Sequence, residues 1–114
     1  MSPGKMAAQA GHAFTETLHD ARSNWHIDSD EHQQYLRYID ERPGTKVVLV
    51  APDESFLRAI WQQAEKFIPT GPVIDSGHVM LPHFTGKPIL TAVGFGPCTR
   101  EQAAPFLGRL ALVP

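Results

Sequence analysis

Residues 45–67, TKVVLVAPDESFLRAIWQQAEKF, join a short apolar run to an amphipathic one, and this junction decides the fold class. The run TKVVLVA (45–51) is β-branched and continuously apolar, which is typical of a strand buried on both faces. Asp53 has the residue type that caps a helix. Beyond it, apolar residues recur every three or four positions as far as Phe67, which predicts a helix with one apolar face. A strand followed at once by such a helix indicates an α/β domain.

The flanking sequence continues the alternation of helix and strand. Ser2 and Pro3 suit the cap and first position of a helix that runs through an alanine-rich stretch to about Leu18, with a tail and loop beyond it. The other predicted elements are a helix over about Asp30–Arg42, strands at GPVID (71–75) and ILTAVGF (89–95), and a short turn or helix from Thr99 followed by the apolar LALV. No repeat or low-complexity segment divides the chain. We therefore expect one domain over residues 1–114, a small three-layer α/β fold with a mixed β-sheet flanked by helices.

Composition limits the classes of function. The chain has 114 residues, 42% of them hydrophobic, which is enough to bury a core. Ten basic and twelve acidic residues give a formal net charge of -2, so no global field attracts nucleic acid. The single Cys98 cannot form an internal disulfide, and no segment resembles a signal peptide or a bilayer-spanning run. We expect a cytoplasmic protein without membrane association, in which any RNA binding depends on a local basic patch.

A polar stripe on the first predicted helix is the strongest candidate for a site. Lys5, Gln9, His12 and Glu16 follow one another at spacings of four, three and four, which places them along one side of the helix. The opposite side is apolar and includes Ala13. Solvation of an amphipathic helix is the simpler explanation of such a stripe. Lys5 favours a site, because a cation is unfavourable at the positive end of the helix dipole but can hold a phosphate or an oxyanion there.

Two strand residues and two histidines are further candidates. Asp75 ends a predicted strand, where ligand crevices form in α/β sheets, although capping of the following turn explains it equally well. Thr91 lies in an apolar strand, where β propensity is the simpler explanation. His78 and His83 lie near Asp75 in sequence but match no established zinc spacing, so we expect no metal site.

Four motifs in order resemble those of the type II peptidyl-tRNA hydrolases. The opening SPGKMAAQAGHA (2–13) is similar to the family's signature helix, whose pattern is G-K-x-A-A-Q-x-x-H-A. The later motifs that resemble the family are VVLVAPDESFL (47–57), VIDSG (73–77) and FTGKPILTAVGFGP (84–97). The end, PFLGRLALV, also resembles the family's closing segment, so the resemblance covers nearly the whole chain.

The resemblance implies hydrolysis of the ester that joins a peptide to the 3′-terminal ribose of tRNA. Peptidyl-tRNA would be the substrate, and no metal or organic cofactor is implied. The catalytic residues implied by position are Lys5, His12, Asp75 and Thr91, and the implied substrate-binding residues are Gln9 and Lys87. In such a reaction Asp75 and His12 would orient or deprotonate water. Lys5 and Thr91 would support the oxyanion or the ribose.

The chain departs from the family pattern in three respects. Family members carry an apolar strand before the signature helix, whereas this sequence begins at Met1-Ser2-Pro3. Either such a strand is encoded upstream of Met1, which we expect, or the chain is a divergent, truncated form. His78 and Val79 stand where the family has Arg-Thr. The net charge of -2 is unfavourable for binding tRNA. The cations that would have to lie close together are therefore Lys5, Arg22, Lys46 and Lys87.

Two other functions fit the same residues. A fold relative that has lost activity could serve as a binding module, and an esterase could use the polar stripe on a small acyl substrate without RNA. Substitution of Lys5 or His12 separates a module from either enzyme, and salt dependence separates the two enzymes. Exposed helix faces in small α/β domains often pair, which leaves a homodimer open.

Overall fold

The computed structural model describes residues 2–41, 44–75 and 89–112, and these ranges contain four helices and four strands. The elements, in chain order, are α1 (Pro3–Ser23), α2 (Asp30–Asp40), β1 (Leu49–Val50), α3 (Glu54–Ala64), β2 (Thr70–Asp75), β3 (Ile89–Phe95), α4 (Arg100–Leu107) and β4 (Ala111–Leu112). This order confirms the predicted α/β class. Within the described ranges, none of the helices combines the length and hydrophobicity that crossing a bilayer requires.

Local capping determines where the helices begin. The Ser2 hydroxyl accepts a hydrogen bond from the backbone N–H of Lys5 at 3.2 Å, which confirms the predicted start of α1. The Asp53 carboxylate accepts one from the backbone N–H of Phe56 at 2.8 Å and starts α3 as predicted. Helices α2 and α4 also begin at residues whose side chains accept a backbone N–H. The observed starts of the helices therefore agree with the starts predicted from the sequence to within one turn.

Helix α1 packs across the antiparallel pair formed by β2 and β3, which we call the β2–β3 ladder. The ladder runs from Thr70 opposite Phe95 to Asp75 opposite Ile89. One ridge of α1 faces it, made of the buried residues Gln9, Ala13, Thr17 and Ala21, which are four positions apart. Helix and ladder together form the core that carries the candidate residues.

Asp20 fixes the C-terminal end of α1 to the start of β2. Its Oδ2 accepts a hydrogen bond from the backbone N–H of Thr70 at 2.9 Å and another from the indole Nε1 of Trp25 at 3.2 Å. Its Oδ1 accepts one from the side-chain amide of Asn24 at 2.8 Å. Because both carboxylate oxygens are occupied, Asp20 holds helix and strand together at the end of the core opposite the candidate site.

The prediction of a strand over residues 45–51 buried on both faces is wrong. Only Leu49 and Val50 are paired as a strand, and their partner is β4. The described strands therefore form two separate antiparallel pairs rather than the expected mixed sheet. Val47 is 63% exposed. An apolar composition allows burial, but burial requires covering neighbours, and within the described ranges β1 pairs with one strand only.

The other predicted boundaries differ by a few residues. Helix α1 continues beyond Leu18 to Ser23, and α2 ends at Asp40 rather than near Arg42. Strand β3 has the predicted bounds. The predicted loop that contains residues 76–88 lies outside the described residues.

Candidate active site

The buried ridge of α1 continues toward the helix start as Gln9 and then Lys5. Gln9 is 8% exposed, and Lys5 lies one turn before it. His12 and Glu16 are exposed. The prediction that Gln9 lies opposite the buried face is wrong, because the buried ridge follows a spacing of four and includes Gln9 with Ala13. The polar stripe is therefore divided between a half that meets the ladder and a half that meets solvent.

Asp75 ends β2 directly beside this half of the stripe. The side-chain amide Nε2 of Gln9 donates a hydrogen bond to Oδ2 of Asp75 at 3.2 Å. The ammonium Nζ of Lys5 lies 3.8 Å from the same oxygen. The Asp75 side chain is 19% exposed and that of Lys5 is 37% exposed, so the carboxylate is partly shielded while the cation can still reach a ligand. The structure thus brings Lys5, Gln9 and Asp75 together.

Gln9 has a second polar atom that is not used. Its Oε1 is buried and has no hydrogen-bond partner among the described residues. The orientation of the amide follows from chemistry, since an ionised carboxylate only accepts and must therefore face Nε2 of Gln9 rather than Oε1. Leaving a buried acceptor unpaired costs about 1–3 kcal/mol. Gln9 therefore presents an unused acceptor next to Asp75.

Thr91 occupies an irregular position in β3. Val73 pairs with Ala92, whereas Ile74 pairs with Leu90, so Thr91 is the extra residue of a β-bulge. The Thr91 hydroxyl donates a hydrogen bond to the backbone carbonyl of Val73 at 3.2 Å. Bulges interrupt the alternation of side chains along a strand and often occur beside active sites. The bulge places Thr91 opposite Val73, two positions before Asp75 on β2.

The remaining predicted site residues are His12 and Lys87. His12 is exposed on the turn of α1 that follows Gln9. Lys87 lies outside the described residues, as do His78 and His83. In the three described ranges, no group of three or more His, Cys, Asp or Glu side chains could hold a metal ion.

Glu54 attaches α3 to the same end of the ladder, and no prediction from the sequence included it. Its Oε1 accepts a hydrogen bond from the backbone N–H of Leu90 at 3.4 Å and another from the guanidinium of Arg58 at 3.1 Å. The first turn of α3 is thereby held next to Thr91. An acidic residue in the first turn is ordinarily explained by the helix dipole alone, so the sequence contains no signal for this contact.

The arrangement suits hydrolysis of an ester. A carboxylate can orient a water molecule and accept a proton from it. A nearby cation can stabilise the negative charge that develops on a carbonyl oxygen. The amide and the cation both contact Oδ2 of Asp75, which restricts the orientation of the carboxylate.

Comparisons with known proteins agree with this chemistry. The family model for peptidyl-tRNA hydrolase PTH2 matches residues 1–113. A peptidyl-tRNA hydrolase from Pyrobaculum aerophilum is 34% identical over 116 residues, which cover 98% of this chain and 87% of the relative. A peptidyl-tRNA hydrolase from Methanocaldococcus jannaschii is 34% identical over 117 residues, which cover 99% of this chain and 90% of the relative. The similarity extends over nearly all of each chain.

Proposed function

Because the chain belongs to the peptidyl-tRNA hydrolase PTH2 family, we infer that it is an enzyme that hydrolyses peptidyl-tRNA, and we propose that Lys5, Gln9 and Asp75 form its active site. The observation that supports this location is the convergence of a cation and an amide on one carboxylate oxygen. Gln9 and Asp75 are 66 positions apart in sequence. A merely solvated helix face would not direct a buried glutamine toward a distant carboxylate.

In the proposed reaction, water attacks the carbonyl carbon of the ester and the bond to the ribose oxygen breaks. Asp75 accepts a proton from the water, and this proton passes to the leaving ribose oxygen. The products are the free peptide and a tRNA with a free terminal hydroxyl. Lys5 stabilises the negative charge of the tetrahedral intermediate. A cation that is locally unfavourable at a helix start is thereby retained for catalysis.

Thr91 is proposed to contact the ribose rather than the oxyanion. Its hydroxyl proton is used in the hydrogen bond to the carbonyl of Val73, so its oxygen can only accept from the substrate. A ribose hydroxyl can donate such a bond, whereas an oxyanion cannot. Thr91→Val should lower kcat/KM about tenfold on a substrate with the vicinal ribose hydroxyl. Thr91→Ser should preserve activity, and a substrate that lacks that hydroxyl should not discriminate between the two variants.

His12 and Lys87 complete the proposed site. We propose His12 as a further group that orients the water, since it lies on the turn of α1 next to Gln9. Lys87 is proposed as a contact to a tRNA phosphate. His12→Ala should therefore lower kcat, whereas Lys87→Ala should raise KM and weaken its dependence on salt.

The proposed phosphate contacts are spread along α1. Lys5 and Arg22 are 17 residues apart on one helix, which corresponds to about 25 Å at its rise per residue. These two cations therefore cannot form one compact patch, contrary to expectation, and would contact different parts of a tRNA. Lys46 is held beside α1, since its Nζ lies 4.6 Å from the ring centroid of Phe14 and donates to the carbonyl of Gly44 at 3.1 Å.

The location and the oligomeric state of the protein are also proposed. A cytoplasmic location is proposed because the substrate is a product of translation. A homodimer is proposed because the α2 residues Leu36 and Ile39 are apolar and partly exposed. Sedimentation equilibrium of the wild-type chain and of Leu36→Glu tests the dimer: a monomeric wild type would exclude it.

Release of an N-blocked amino acid from its tRNA by the purified chain tests the proposed activity. Asp75→Asn should lower kcat by about 100-fold or more. Asp28→Asn is the matched control, because it makes the same change in charge at an exposed loop residue. Activity should also fall steeply between about 50 and 200 mM salt.

Each alternative outcome has a distinct meaning. Full turnover by Asp75→Asn would refute the proposed site. Turnover that does not depend on salt would indicate an esterase for a small substrate. No turnover by a wild-type chain that unfolds cooperatively would indicate a binding module.

A further inference from the structure

We propose that Gly71 and Gly94 are positioning residues that set the height of α1 above the β2–β3 ladder, an inference that rests on the proposed function of Gln9 and Asp75. The two glycines lie directly opposite each other in the register of the ladder. Both lie beneath the buried ridge of α1, next to Ala13. Their lack of a side chain determines how closely the helix approaches.

A methyl group at either glycine would collide with α1. At Gly94, a Cβ would lie 2.7 Å from the carbonyl oxygen of Ala13 and still closer to the Thr17 hydroxyl. At Gly71, a Cβ would lie 2.7 Å from the same carbonyl oxygen and still closer to the backbone nitrogen and hydroxyl of Thr17. Cβ contacts below 3.0 Å essentially never occur. Neither glycine has a positive φ, so both positions require space rather than an unusual backbone conformation.

The contact with the glycines is transmitted to Gln9 along the helix. Ala13 lies one turn after Gln9 on the same buried ridge. At Gly94, the 2.7 Å contact with the Ala13 carbonyl remains even when the Thr17 hydroxyl turns aside. Raising the helix until that contact becomes 3.0 Å would, for an equal displacement at Gln9, lengthen its 3.2 Å hydrogen bond to Asp75 to about 3.5 Å. A bond of that length is at the limit of a hydrogen bond. The buried, unpartnered Oε1 of Gln9 would be displaced with it.

The expected effect is a loss of turnover in a folded protein. A displacement of about 1 Å can reduce turnover 100-fold, so a displacement of a few tenths of an ångström should reduce kcat about tenfold. KM should change less, because the exposed cations proposed to contact tRNA remain exposed after such a small shift of the helix. Thr17→Ala removes the hydroxyl nearest to a Cβ at Gly94 and should restore part of the activity of Gly94→Ala. It should restore less in Gly71→Ala, whose Cβ also meets the backbone nitrogen of Thr17.

A double-mutant cycle on kcat tests the proposal. The wild type, Gly94→Ala, Gln9→Ala and the double variant are assayed well below their unfolding temperatures. Gly94→Ala should lower kcat about tenfold in the wild type but less than about twofold in the Gln9→Ala background, because the glycine acts through Gln9. If Gly94→Ala does not fold, the same cycle is run with Thr17→Ala present in all four proteins.

The outcomes distinguish this inference from the proposed function. An equal loss of kcat in both backgrounds would show that the glycines contribute only to structure and would overturn the inference. Unchanged kcat in folded Gly94→Ala would also overturn it, while a loss of activity in Gln9→Ala would leave the proposed site intact. Wild-type turnover by Gln9→Ala would overturn the inference and remove Gln9 from the proposed site, while the measured hydrolysis would still support the proposed activity.

Discussion

Replacing Gln9 by methionine should separate the stability of this protein from its activity. Methionine has nearly the same length as glutamine but neither donates nor strongly accepts. The variant loses the 3.2 Å hydrogen bond to Asp75, and a bond to a charged group contributes about 1.5–3 kcal/mol. It also removes the buried unpaired Oε1, whose presence costs about 1–3 kcal/mol. These terms nearly cancel, so the free energy of unfolding should change by no more than about 1 kcal/mol.

Turnover should respond differently, because Asp75 loses the amide that orients it. The Asp75 carboxylate keeps Lys5 at 3.8 Å but loses the group that restricts its orientation. A loss of about 1.5–3 kcal/mol of transition-state stabilisation corresponds to a decrease in kcat of about 10- to 150-fold.

Urea unfolding and hydrolysis of an N-blocked aminoacyl-tRNA measure the two quantities on the same preparation. Gln62→Met is the matched control, because Gln62 is exposed on α3, and both quantities should stay near the wild-type values. A Gln9→Met protein that is destabilised by more than about 2 kcal/mol and retains its kcat would refute the reasoning, since Gln9 would then be a structural residue. An unchanged kcat, with stability also unchanged, would show that the contact with Asp75 contributes nothing to turnover.

Asp20→Ala should lower the free energy of unfolding by about 2–3 kcal/mol, because the N–H of Thr70 loses its acceptor. The kcat of the folded fraction should stay constant, since Asp20 lies at the end of the core opposite the candidate site. A large loss of kcat would contradict this prediction. Lys5→Met should lower kcat about 100-fold and affect KM less, whereas Lys5→Arg should retain part of the wild-type kcat. Equal kcat values for the wild type and both variants would exclude a role of the cation. Burial raises the pKa of the Cys98 thiol in the folded protein above its value in the unfolded chain. The stabilisation that the protonated thiol contributes is therefore complete below the pKa of the unfolded state and is lost as pH rises through the pKa of the folded state. Cys98→Ala should therefore lose less stability than the wild type in alkaline urea titrations, and parallel curves would contradict this.

Local features of the sequence determined the helices and the longest strands. A helix start depends on a capping side chain and the N–H groups three residues later, so Ser2 and Asp53 were sufficient to predict it. The β3 bounds followed from an apolar run that ends at Gly-Pro. Lys5 was identifiable as a candidate because a cation is unfavourable at a helix start, and Asp75 because it ends a strand, where ligand crevices form. The motifs and their order carried the resemblance to the family.

The tertiary structure decided burial, pairing and contact. Gln9 looked like part of a solvated stripe, but the packing of α1 on the β2–β3 ladder buries it against Asp75. Residues 45–51 looked buried but are largely exposed where they have no covering neighbour. The bulge at Thr91 depends on the register between two strands. These properties arise from segments that meet only after folding, and no window of sequence contains both partners.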